Sequence, residues 1–112
     1  MSGEETAPDY HLLLDRDEVP VAASAMRLYL SDEAHQPEIQ ALGREVLAGL
    51  EGATDEHGVL SLPLSAQRMK IVFFSVRLLI NDLQRGQAGE REVLRGILEK
   101  LPDEHVMRAI EL

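Results

Sequence analysis

Hydrophobic and polar positions alternate in two rhythms along the chain, and the sequence of rhythms occurs twice. "YHLLL" (residues 10 to 14) and "VLSLPL" (59 to 64) alternate with a period of two, which predicts short, half-buried strands. Pro63 places the second strand at an edge or a bend, because proline gives no N–H to a ladder. After each strand comes an apolar stretch, "PVAASAMRLYL" in the first half and "KIVFFSVRLLI" in the second. The second alone reads as well as a buried strand, being rich in β-branched and aromatic residues, but its Ala-rich counterpart is a poor strand former. Both are therefore expected to be helices.

The two stretches are counterparts because the chain resembles itself at an offset of 50 residues. Laying residues 11 to 32 on 61 to 82 matches Leu12 with Leu62, Leu14 with Leu64, Arg27 with Arg77, Leu28 with Leu78 and Asp32 with Asp82. Val19/Met69, Val21/Ile71, Met26/Val76 and Leu30/Ile80 agree in character. Further on, "REVLAGLEGATDEH" (44 to 57) resembles "REVLRGILEKLPDEH" (91 to 105), and the segment between the matched blocks is three residues longer in the first half.

Helix boundaries follow from local chemistry. Asp15 and Ser65 stand at equivalent places where a side-chain oxygen can cap a helix, with Glu18 three residues after Asp15 as in a capping box. Pro20 fits only a first turn, which makes Asp17 the alternative cap. A second helix is expected in each half. Pro37 starts the first, Ile39, Leu42, Val46, Leu47 and Leu50 recur on one face, and Gly52 ends it. Val93, Leu94, Ile97, Leu98 and Leu101 repeat that stripe before Pro102. The tail "PDEHVMRAIEL" carries two readings: Pro102, Asp103 and Glu104 look like a helix start, whereas the repeat sets Ile110 and Leu112 against the strand residues Leu62 and Leu64. The helix is the favoured one.

The expected fold is α+β and predominantly helical: a strand-helix-helix unit used twice (10–57 and 58–112), with pseudo-two-fold symmetry and a small sheet, behind a flexible acidic tail over 1–9. Two strands are only marginally stable alone, so helices or a second chain must cover or extend them. From Met69 to Leu83 the second long helix is apolar nearly all the way round, which requires burial either centrally or against a partner. Ile71, Phe73, Phe74, Leu78 and Leu79 are its candidate contact residues, and a homodimer is the expected assembly.

Composition narrows the function classes. The 112 residues suit one domain, the aromatic share is only 4%, and with no cysteine there is no disulfide, thiolate metal site or thiol nucleophile. No apolar run reaches the length of a bilayer span, and the N-terminus lacks the basic and apolar regions of a signal peptide, so a cytoplasmic, non-membrane protein is expected. A net charge of −9, with cations scattered among anions, opposes binding to nucleic acid.

Candidate chemistry is sparse. "DEAH" at 32 to 35 has the letters of a helicase box but no accompanying phosphate loop of the G-x-x-x-x-G-K-[ST] kind, and it falls at a helix exit. The paired triplets Asp55-Glu56-His57 and Asp103-Glu104-His105 contain metal-ligand types, with Asp55, His57, Asp103 and His105 the candidate ligands. Their contiguous spacing fits a turn and a helix start equally well. No serine has a nucleophile-elbow context. Arg27 and Arg77, equivalent and set among apolar residues, are expected to ion-pair or to flank a pocket. The expectation is a small acidic interaction or scaffold protein, not an enzyme and without a cofactor. Its rivals are a metal- or small-molecule-binding protein using the triplets, and an acidic inhibitor or immunity-type protein on a basic partner.

Overall fold

Tyr10–Leu14 forms strand β1 and Leu60–Leu64 strand β2, paired antiparallel with Leu12 opposite Leu62 and Leu14 opposite Leu60. The structure, a computed structural model, describes residues 10–32, 34–52, 58–83 and 88–110. Within these residues the chain continues from β1 into helices α1 (Glu18–Leu30) and α2 (Pro37–Leu50). From β2 it continues into α3 (Ala66–Asp82), α4 (Ala88–Lys100) and the short α5 (Glu104–Ala109). The architecture is thus mostly helical with a small two-stranded antiparallel sheet, and strand is followed by two helices in each half.

Alternation along the strands decides which side of the sheet is wet. Leu12, Leu14, Leu60, Leu62 and Leu64 are buried, while His11, Leu13, Ser61 and Pro63 face outward. Among the described residues both strands are edges. On β2 the outward Pro63 has no N–H, and on β1 the Leu13 carbonyl accepts a hydrogen bond from Lys100 Nζ at 3.0 Å.

Helix α3 is the centre of the molecule, packed against α1, α2, α4, α5 and β2. That explains its apolar circumference: with neighbours on several sides, Met69, Ile71, Val72, Phe73, Val76 and Leu79 are all buried. Its broadest contact is with α1, whose Ala22, Ala23 and Ala25 are buried and whose Met26 sulfur lies 3.6 Å from Ser75 Oγ of α3. Ser75 is also buried here. Its hydroxyl donates to the Ile71 carbonyl at 2.7 Å, so a polar atom in the core keeps a partner. Helix α2 lies close to α1 because Gly43 has no side chain: a Cβ there would stand 2.6 Å from Leu30 Cδ2.

The ends of the helices follow the expected chemistry with one exception. Ser65 Oγ accepts from the Arg68 N–H, Asp103 Oδ1 from the Val106 N–H at 3.1 Å, and Pro37 opens α2. At α1 the residue in the capping position is Asp17, and its side chain makes no capping bond. Instead Glu18 reaches back, and its Oε1 accepts from the Asp15 N–H at 2.8 Å, which is the reciprocal half of a capping box. The tail forms helix α5, anchored by the fully buried Met107.

Candidate functional site

One open groove, ≈ 430 Å³ in volume, combines apolar area with charge. Its floor and one wall come from α3, whose Phe73 is core while Phe74, Arg77, Leu78 and Asn81 follow the solvent side. Helix α5 adds Glu104 and Arg108, and the exit of α1 adds Tyr29, Asp32 and His35. The chain has two Tyr, two Phe and no Trp, and three of its four such rings line this groove, Tyr29 and Phe73 as buried core rings and Phe74 half-buried.

The rings are ordered by one another. Tyr29 and His35 stack with centroids 4.2 Å apart, and Phe73 meets Phe74 edge to face at 5.3 Å. Cations sit over the Phe rings: the Arg77 guanidinium lies 5.8 Å from the Phe73 centroid, and Lys70 Nζ is 5.8 Å from that of Phe74. Leu78, one turn along from Phe74, is 41% exposed, as Leu13 and Val106 also are to a similar or greater degree elsewhere.

Charge at the groove is paired. Glu104 accepts from Arg77 Nη1 at 2.6 Å and from Arg108 Nε at 2.7 Å. The Arg77 hydrogen bond first, and Arg108 after it, hold the Glu104 carboxyl below its ordinary range. On the opposite side, burial, and after it the negative charge of Asp32, push the Tyr29 phenol above its usual value. A phenol so placed stays protonated at neutral pH and acts as a hydrogen-bonding group rather than a base. The groove thus sets two guanidiniums paired to one carboxylate beside a protonated phenol and the side chains of Phe74 and Leu78.

Three of the contact residues expected from sequence lie elsewhere than on a free surface. Ile71 and Leu79 are buried in the chain's own core, and Phe73 reaches the groove only as its floor. Phe74 is half-buried against the core at the edge of the groove, and Leu78 is exposed. Of the triplet residues, Asp103 caps α5 and His105 is exposed, while Asp55 and His57 lie outside the described residues. Among the described residues no group of three His, Asp or Glu side chains gathers in a way that would hold a metal ion. Arg27 pairs with Glu51 at 3.0 Å on the surface, and Arg77 both pairs and flanks the groove.

The "DEAH" letters take a plainer role than their name suggests. Asp32 Oδ1 accepts from the Ala34 N–H at 2.9 Å, a turn-forming bond that closes the exit of α1. That turn brings His35 back onto Tyr29, and so the box contributes two groove residues. Sequence reasoning missed Tyr29, Asp32, His35, Asn81, Glu104 and Arg108 as groove residues. A signal was present in the repeat: Phe74 aligns with the exposed Ser24, so a position that is polar and exposed in the first half is aromatic and half-buried in the second.

No helix among the described residues is long and apolar enough to cross a membrane. Comparison of the chain with protein-family models, curated proteins and solved structures finds no match.

Proposed function

We propose that this chain is a small acidic interaction protein of the cytoplasm that works without catalysis, and that the groove bounded by α3, α5 and the exit of α1 receives its protein partner. The observation that carries the proposal is the convergence of three of the four Tyr and Phe rings with Leu78 in one open groove. Aromatic residues and arginine are the types enriched where proteins bind one another, and here Arg77 and Arg108 flank the apolar ridge.

We further read the chain as an internal duplication of a strand-helix-helix unit with pseudo-two-fold symmetry, assembled as a homodimer. Two facts support the duplication. The repeated residues Leu12 and Leu62 face each other in the ladder, as a two-fold axis through the sheet requires, and the equivalent helices α1 and α3 pack on each other. On this reading the halves diverged where the groove lies, since Ser24 became the counterpart of Phe74.

The test is to cross-link the protein in its own host and compare it with a Leu78→Glu variant that is equally abundant and equally folded. Loss of a specific cross-linked species in the variant is the expected result. An identical set of species from both proteins removes the groove from consideration.

A further inference from the structure

Helix α5 is fastened to α3 at both of its ends and held by one side chain in its middle. Glu104, its first residue, accepts from Arg77 Nη1 at 2.6 Å, and the Ile110 carbonyl just past its last turn accepts from Lys70 Nζ. Between them Met107 is buried, while His105, Val106, Arg108 and Ala109 are exposed. We infer that α5 is a strap that opens from α3 as a unit and, while closed, withholds Lys70 and Arg77 from whatever enters the groove. The opening stands on the fold alone; what it regulates rests on the groove as the seat of a partner.

Six residues are too few for a helix to hold itself together in water, so α5 depends on what it docks against. That docking is thin. It consists of one buried side chain, a bond to a neutral carbonyl and an ion pair whose members are 44% and 36% exposed, a kind that contributes little. The hinge is already made. Leu101 follows α4 and is buried, and Pro102 has no N–H with which to continue that helix, so the backbone can turn at 102 and 103 while α4 stays in place. Because α5 packs mainly on α3, its release leaves the packing of α3 on α1 and α2, and the sheet, as they were. Segments with so few buried contacts open at a lower cost than the whole fold. Nor does opening strand a charge, since Glu104 also accepts from Arg108 Nε of α5 itself at 2.7 Å and leaves α3 with that partner.

Both tethers end on cations, and both cations border Phe74. Lys70 Nζ lies 5.8 Å from the Phe74 ring centroid, and Arg77 lines the groove beside that ring. With the strap closed, any acceptor arriving in the groove competes with Glu104 and the Ile110 carbonyl for them. With it open, Glu104 and Arg108 leave the groove wall, and Lys70 and Arg77 remain as two uncommitted cations about two turns apart on α3.

Two measurements on the full chain test the inference. Native-state hydrogen exchange in low denaturant should show the Met107 and Ile110 amides, both bonded within α5, exchanging about tenfold or more faster than those of Val76 and Leu79, with little dependence on denaturant. Lys70 and Lys100 are the chain's two lysines, so acetylation read by mass spectrometry compares a strap tether with a cation held elsewhere in the same molecule. Glu104→Gln and Met107→Ala should each raise labelling of Lys70 severalfold, leave Lys100 unchanged and increase the species cross-linked through the groove. Amides of α5 and α3 that exchange together, with one dependence on denaturant, overturn the strap, as does labelling of Lys70 that rises only with that of Lys100. A strap that opens while Glu104→Gln lowers the cross-linked species overturns the withholding. Failure of the groove itself looks different: the cross-linked species are indifferent to Leu78→Glu while Lys70 still responds to Glu104→Gln, which removes the regulation and leaves the opening standing.

Discussion

Lys100 Nζ donates to Glu18 Oε1 at 2.5 Å, joining the last turn of α4 to the first turn of α1 across most of the chain. The same carboxylate oxygen takes the Asp15 N–H, and the same ammonium takes the Leu13 carbonyl. Four groups from β1, the turn after it, α1 and α4 thus share one junction. Glu18 is 8% exposed, so removing its cation leaves a nearly buried carboxylate without its counter-charge.

Lys100→Met should therefore destabilise the fold by about 1–2 kcal/mol, less than a fully buried pair would lose because the ammonium keeps contact with water. Glu18→Ala should cost about 2 kcal/mol, since it also orphans the Asp15 N–H. The double variant should lose less than the sum. Urea unfolding of the three variants measures all of this, and strict additivity would show that the two groups do not interact.

Capping separates two residues that look alike in sequence. Ser65→Ala and Asp103→Ala should each cost about 1 kcal/mol, because each loses a side-chain bond to a helix N–H. Asp17→Ala should cost almost nothing, as its side chain caps no N–H. Thermal melts of the three variants check the contrast.

Neighbouring leucines on α3 should behave oppositely. Leu79→Ala removes a side chain that is 8% exposed and should cost about 3 kcal/mol, while Leu78→Ala, at 41% exposure, should cost well under 1 kcal/mol. Equal losses in denaturant titrations would mean that Leu78 is packed in solution.

The phenol of Tyr29 titrates higher in the folded chain than in the unfolded one, so the fold binds its proton more tightly. Its contribution to stability is complete below the unfolded tyrosine value and is lost as pH rises through the raised folded value. Ultraviolet titration should show a late tyrosinate component that Tyr29→Phe deletes. Asp32→Asn should move it part of the way back, because burial is the larger cause. For Glu104 the sign is reversed: its stabilisation is present above the unfolded carboxylate value and fades as pH falls through the lowered one. Carboxyl NMR should find Glu104 moving upward in Arg77→Gln.

Much of the scaffold was legible in the residues, for reasons that differ by element. Period-two alternation marked β1 and β2, Pro37 and Pro102 bounded helices, and the Ala-rich α1 argued that the Val- and Phe-rich α3 was a helix as well. Asp103 told correctly for the tail helix over the strand that the repeat suggested. The candidate site was less legible. Ile71, Phe74, Leu78 and Leu79 share one apolar helix, and only the placing of five neighbours around α3 decides which of them meet water. Tyr29 and Glu104 are 75 positions apart, and no local pattern says that α5 folds back beside the exit of α1.

Pro63 and Lys100 leave both edges of the small sheet poorly suited to pairing with another strand. A strand from a neighbouring molecule that reaches β2 meets a residue with no hydrogen to donate. One that reaches β1 finds the Leu13 carbonyl already engaged and a positive charge in its path. Exposed edges of this kind are where stacked fibrils start, and here neither edge gives a growing fibril an unbroken template.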